Sequence, residues 1–303
     1  MQKLNNFTTI FKYLVLLLYT AILSAAPREY QIDLKPFEKF TDNYARYRSL
    51  AKKFETGPLT IPEHYERIKI LDQVISKKPA WLDGYWLLAS ESFIIASTLP
   101  NPAKNPEVLE VLQTGMSKLE VCLAKDGDHP LCNFFKASLA AKLASIKGVF
   151  ASLKAGKQIR DTWLKTLDEN IQFSFRPNVS LIGSAYYGLG LFYRLVPDSV
   201  LIDWLWDIRG NKKQSVTYHR KAVEIDTANP CSLLMLAVAI LCAEGDDKGS
   251  KSLAEAQEIF SRIDKIAAID GPQEACKRDS FKVRSNTGRV CGYTQAQYQE
   301  EKE

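Results

Sequence analysis

Histidine, the side chain most often used for proton transfer near neutral pH, is scarce in this chain of 303 residues. The histidines are His64, His129 and His219. Each lies on or beside a helical pattern, with no serine or cysteine spaced to form a nucleophile–base pair, so packing or surface roles are expected. Cys122, His129 and Cys132 offer sulfur and nitrogen, but structural zinc takes four ligands at characteristic spacing, and a disulfide is the expected state of the two thiols. The string "AGKQ" around Lys157 fails as a phosphate loop, because Gly148 lies too far upstream and Gln158 has no hydroxyl. The carboxylate pairs Asp246 with Asp247 and Asp168 with Glu169 fall in a loop and on a polar helix face, where solvation accounts for them. No catalytic residue, metal or cofactor is expected, and the chain reads as a binding protein rather than an enzyme.

Binding chemistry is better represented. Trp86 with Phe93, and Tyr187 with Leu191 and Arg194, recur at helical spacing beside a separate packing stripe. Aromatics and arginine are enriched in binding hot spots, although long helices could also bury both stripes. Trp204 and Trp206 stand close together in "LIDWLWDIRG", an inserted loop. They are expected either to plug an apolar groove or to form an exposed lip for a partner.

The elements that must position these residues are helices. Strand-like alternation is almost absent, while helical periodicity runs from about Pro36 to Ile269. Pro79, Pro130, Pro177 and Pro230 mark a rhythm with separations of 51, 47 and 53 residues. Each follows an amphipathic pattern, among them "ERIKILDQVISKKP" and "IRDTWLKTLDENIQFSFRP", and precedes a similar stripe. The stripes are Tyr85, Leu88 and Ala89; Phe135 and Leu139; Tyr186, Leu189, Gly190 and Tyr193; and Leu233, Leu236, Ala237 and Ile240. A mid-helix glycine costs about 1 kcal/mol relative to alanine, so Gly190 in "YYGLGLFYRLVP" predicts a close helix crossing. Two-helix units cannot bury both apolar faces alone and must stack. The fold expected is all-α, an irregular helical-hairpin solenoid of about five hairpins.

The spacing aromatic, x2, Leu-Gly, x2, Tyr at Tyr186, Leu189, Gly190 and Tyr193 resembles the tetratricopeptide repeat, as do the small and aromatic positions Ala256, Phe260 and Ile263 and, less closely, Ser215 and Ala222. The irregular spacing and the insertions "TLPNPAKNPE" and "VPDSVLIDWLWDIRGNKK" are similar to the periplasmic T component associated with TRAP transporters, and the layout is similar to the regulator-of-microtubule-dynamics proteins. The resemblance spans roughly residues 60 to 270. It implies that the stripe of Trp86, Phe93, Tyr187, Leu191 and Arg194 lines a concave surface.

At the amino end, Lys3 and Lys12 precede an apolar run from Tyr13 to Leu23 and the small residues Ser24, Ala25 and Ala26, the pattern of a secretory signal peptide over 1–25. The run is too short to span a bilayer, and no lipid-anchor cysteine accompanies it, so a periplasmic or secreted protein without a transmembrane anchor is expected. Its removal lowers the formal charge from +5 to about +3, too mild for a nucleic-acid partner. Residues 26–270 form the repeat domain, followed by a polar tail over 271–303. Six cysteines suit an oxidising compartment. Cys122 with Cys132 and Cys276 with Cys291 are the expected disulfides, with Cys231 and Cys242 free inside one helix, about 16 Å apart along its axis. A bond from either to the tail would instead dock the tail on the last hairpin.

Two functions fit these expectations. The first is an exported scaffold for a protein partner, which the resemblance to T components implies is an extracytoplasmic solute-binding protein. The second is a periplasmic carrier holding a small amphipathic organic acid between Trp86, Tyr187 and Arg194, the arginine pairing with its carboxylate. The oligomeric state stays open, a homo-oligomer included.

Overall fold

The computed structural model describes residues 27–296; the signal-peptide pattern over 1–25 lies outside them. The fold is all-α. A four-residue helix α1 (Lys35–Glu38) leads into α2 (Thr41–Thr56), α3 (Ile61–Lys77), α4 (Leu82–Thr98), α5 (Pro106–Lys125), α6 (Pro130–Lys147) and α7 (Val149–Asp168). There follow α8 (Leu181–Leu195), the short α9 (Val200–Trp206), α10 (Lys212–Ile225), α11 (Pro230–Glu244), α12 (Lys251–Lys265), α13 (Gly271–Ser285) and a 3-10 turn at Thr287–Gly292. Leaving aside the short α1 and α9 and the last helix α13, the helices pair as α2–α3, α4–α5, α6–α7, α8–α10 and α11–α12, each pair packed on the next, which gives five hairpins among the described residues.

Local sequence sets these boundaries. Thr60 and Glu63 cap α3 reciprocally: the Thr60 side chain accepts from the Glu63 N–H, and the Glu63 carboxylate accepts from the Thr60 N–H. Asn105, Asn211, Asn229, Ser250 and Asp270 accept from first-turn N–H groups of α5, α10, α11, α12 and α13. Pro130 and Pro230 sit in the first turns of α6 and α11, where a missing N–H costs nothing. Pro177 behaves differently. Helix α7 ends at Asp168, and Pro177 occupies the turn of a small antiparallel hairpin between β3 (Ser174–Arg176) and β4 (Val179–Ser180), with Asn178 at φ 55°. A second two-residue pair is parallel, between β1 (Arg28–Glu29) and β2 (Ile171–Gln172).

Packing is continuous along the array. Helix α11 is apolar on every side and buried on every side, from Ser232 to Cys242. The close crossing expected at Gly190 is present between α8 and α10, where the Ser215 hydroxyl donates to the Gly190 carbonyl at 2.7 Å. The row of helices also closes: α13 leaves α12 and packs against α4, with Gly271 so near Thr98 that a Cβ would lie 2.3 Å from its hydroxyl.

The tail departs from its expected form. Residues 271–285 are helical and 287–292 form the 3-10 turn, rather than a polar loop. The disulfides follow. Cys122–Cys132 forms as expected, but Cys276 bonds Cys231 and Cys291 bonds Cys242, so neither Cys231 nor Cys242 is free and Cys276–Cys291 does not form. The physical reason is register. The two cysteines of α11 are spaced along one helix, and the tail lies beside it so that Cα separations shrink to 5.2 and 4.8 Å. Closing loops of this length stabilises by roughly 4 kcal/mol each in the chain-entropy model. No helix among the described residues is long and apolar enough to cross a membrane.

Candidate functional site

The closed row of hairpins surrounds a cavity of about 1140 Å³, at or above the top of the roughly 300–1,000 Å³ range usual for small-molecule sites. The first helix of each of four hairpins contributes to its wall, joined by residues of α2 and α7. Trp86 and Phe93 come from α4, Phe134 and Phe135 from α6, Tyr187 and Leu191 from α8, and Met235 from α11. These positions recur at helical spacing because residues three or four apart share a face. The stripe that carries Trp86, Phe93, Tyr187 and Leu191 therefore lines the interior, and the adjacent stripe packs the hairpins.

Two further aromatics reach the wall from the β3–β4 hairpin and its approach. Phe173 and Phe175 alternate with the exposed Ser174, and the Leu181 N–H donates to the Phe173 carbonyl at 2.8 Å, closing the hairpin. Trp86 stacks on Phe135 with planes 7° apart, and Phe173 and Phe175 meet Trp86 edge-on. Such pairs add roughly 0.5–1.5 kcal/mol each beyond area burial. The Trp86 indole N–H donates to Asp83 at 2.7 Å, and Tyr30 and the Asp33 N–H satisfy the same carboxylate. This carboxylate thereby pins the amino-terminal segment to the wall.

Charge inside the cavity is mostly paired. Glu91 lies 2.6 Å from His64 Nδ1 and 3.0 Å from Arg67 Nη2. Burial alone would raise its carboxyl, but Arg67, His64 and Arg176 together hold it below the ordinary range. Arg176 pairs with Asp270, and Asp226 accepts from the Ser180 N–H. Lys142 is the exception. It lines the cavity from α6 with 7 % exposure, and its ammonium makes no hydrogen bond or ion pair with any described residue. Burial pulls its pKa down to about 8, opposed only by the more distant charge of Asp279, itself 3.0 Å from Lys282.

Arg194 is not where the groove expectation puts it. Its guanidinium donates to the carbonyls of Val290, Cys291 and Tyr293 at 3.1, 2.6 and 2.8 Å. It thus faces the docked tail rather than the cavity, and no free donor fork is left for a ligand carboxylate. The inserted loop divides its tryptophans. Ile208 lines the cavity and Trp206 packs on the core, while Trp204 stands outside, 79 % exposed, beside Val200, Leu201 and Leu205 on the outer face of α9. The insertion therefore covers the cavity through isoleucine, and neither tryptophan plugs it.

Cys122 and Cys132 are bonded to each other, and His129 uses both ring nitrogens, Nδ1 accepting from the Cys132 N–H at 3.3 Å and Nε2 lying 3.3 Å from the Tyr30 hydroxyl. With its sulfurs oxidised, this cluster offers no metal site. His219 is fully buried against Tyr187, and burial holds its imidazole down to about 3.

Among the described residues, the exposed side chains lining the cavity, Ala45, Arg48, Ser49, Lys52 and Glu55, all belong to α2, which puts the opening beside that helix. No family model matches this chain, and no curated protein does. Its function has to be read from this cavity.

Sequence reasoning missed Lys142, Phe134, Phe173 and Phe175. The alternation of Ile171, Phe173 and Phe175 is a strand signal hidden behind a long helical pattern. Lys142 carried no mark except its place seven residues after Phe135 on the same face.

Proposed function

We propose that this protein is a carrier that encloses one amphipathic organic molecule in its central cavity. The reading rests on one observation: an aromatic-walled space of about 1140 Å³, contributed by successive hairpins, with exposed lining residues confined to α2. Such a wall offers apolar contact and little directional hydrogen bonding, which suits a flexible apolar body. The three disulfides favour an oxidising compartment, and so an exported carrier, periplasmic or secreted. No catalytic step belongs to this reading. Protein purified without denaturation and extracted into organic solvent should release a stoichiometric small molecule, and the emptied protein should bind an environment-sensitive fluorescent amphiphile. A protein that yields no organic molecule and leaves the probe's emission unchanged would refute the carrier.

A protein partner is favoured by a separate observation, the apolar outer face of α9, where Val200 is 70 % and Leu201 63 % exposed beside Trp204. In the transporter setting that the resemblance to T components implies, that partner would be an extracytoplasmic solute-binding protein receiving or delivering the cargo. Trp204→Ala should then weaken a pull-down of that protein without altering probe binding in the cavity. Unchanged capture would remove α9 from the interface.

A further inference from the structure

An uncompensated ammonium in an apolar cavity is costly, and a fold would be more stable with methionine there unless something pairs with the charge. Lys142 is in that situation. The buried charged groups around the cavity are each matched: Arg67 with Glu91, Arg176 with Asp270, and Asp226 with the Ser180 N–H. Lys142 alone has no partner among the described residues, and it lies on the wall that carries Phe134 and Phe135. On its own face of α6, Ser138 and Ser145 donate their hydroxyls to the carbonyls of Phe134 and Lys142, at 2.9 and 2.8 Å. Those protons are directed into the helix, away from a ligand.

We infer that Lys142 is the anchor for the acidic headgroup of the cargo, and that the cargo is a single-chain carboxylate whose hydrocarbon body lies against Trp86, Phe135, Phe173 and Phe175. One cation neutralises one carboxylate. A phosphate monoester would bring close to two charges and leave one of them buried without a partner. The anchor rests on the carrier reading, and it shifts the carboxylate site from Arg194, which is committed to the tail, to the one buried lining cation left unmatched among the described residues, Arg48 and Lys52 being exposed at the opening.

The test compares dodecanoate, dodecanol and dodecyl phosphate by titration against the delipidated protein and its Lys142→Met variant. Wild type should prefer dodecanoate over both others, and the variant should lose about tenfold or more of its dodecanoate affinity, the range of a lost charge-assisted bond. Its dodecanol affinity should stay unchanged, which also reports that the variant is folded. Equal dodecanoate affinity in the two proteins, with dodecanol bound by both, would overturn the anchor and leave the carrier standing. Tighter binding of dodecyl phosphate would overturn the carboxylate assignment. Binding of none of the three by wild type would overturn the carrier reading itself.

Discussion

The imidazole of His219 lies flat against the backbone of Gly190: a Cβ built there would come within 2.6 Å of three ring atoms. The glycine and the histidine thus define the crossing of α8 and α10 together. Gly190→Leu would drive a branched side chain into that ring, and overpacking of this kind costs about 1–3 kcal/mol or more. Chemical denaturation should show a lower midpoint at unchanged slope. A midpoint equal to wild type would mean the crossing can open without cost.

The same ring gives stability a pH dependence. His219 is neutral in the folded protein, its pKa held down to about 3, while an unfolded histidine titrates near 6.5. Between those values the unfolded chain takes up a proton that the folded one refuses, so folding weakens as pH falls, by up to about 1.4 kcal/mol per pH unit. This contribution is fully present above pH 6.5 and lost progressively towards pH 3. His129, whose pKa burial also lowers, acts in the same direction. Denaturation series for wild type and His219→Gln isolate the His219 share as a difference in slope against pH. Identical slopes would mean that the ring becomes protonated in the folded state.

Arg194→Ala should act on the tail rather than on binding in the cavity. It removes a buried donor from three carbonyls of residues 290–293, and hydrogen bonds to charged groups contribute about 1.5–3 kcal/mol each. Hydrogen exchange should quicken over the carboxyl-terminal segment, while affinity for a cavity probe stays near wild type. A large loss of affinity without faster exchange would return the arginine to the site.

Mass mapping of a non-reduced digest should yield the linked pairs Cys122–Cys132, Cys231–Cys276 and Cys242–Cys291. Cys276→Ser should lower stability by several kcal/mol, and by more than Cys132→Ser, because it opens a longer loop. A Cys276–Cys291 peptide would contradict the docked tail.

Much of this architecture is legible in the sequence, for a physical reason. Helical periodicity at Tyr186, Leu189, Gly190 and Tyr193 reports which face packs and which lies beside it, and it is the resemblance to the tetratricopeptide repeat that implies an inward-facing role for the neighbouring Trp86, Tyr187 and Leu191. Arg194 fits that pattern by position and breaks it by contact. Its partners are backbone carbonyls a hundred residues away, which carry no side-chain signature. Cys231 and Cys242 mislead in the same way, since a pairing partner on a distant segment leaves no trace in local spacing. Phe173 and Phe175 are hidden because their alternation with Ile171 is brief and follows directly on a long helical pattern.

The contact of Gly271 with Thr98 bears on how this array can fold and change. An open solenoid unfolds piecemeal from its ends and tolerates gain or loss of a unit, since each repeat needs only its neighbours. Here the last helix is also a neighbour of α4, and two disulfides fasten it to α11. Deleting one hairpin would not yield a shorter array of the same form; it would leave α4 and α13 unable to meet and breach the chamber. The number of repeats is therefore fixed by the circumference, and unfolding should be a single cooperative event in which the cavity vanishes all at once.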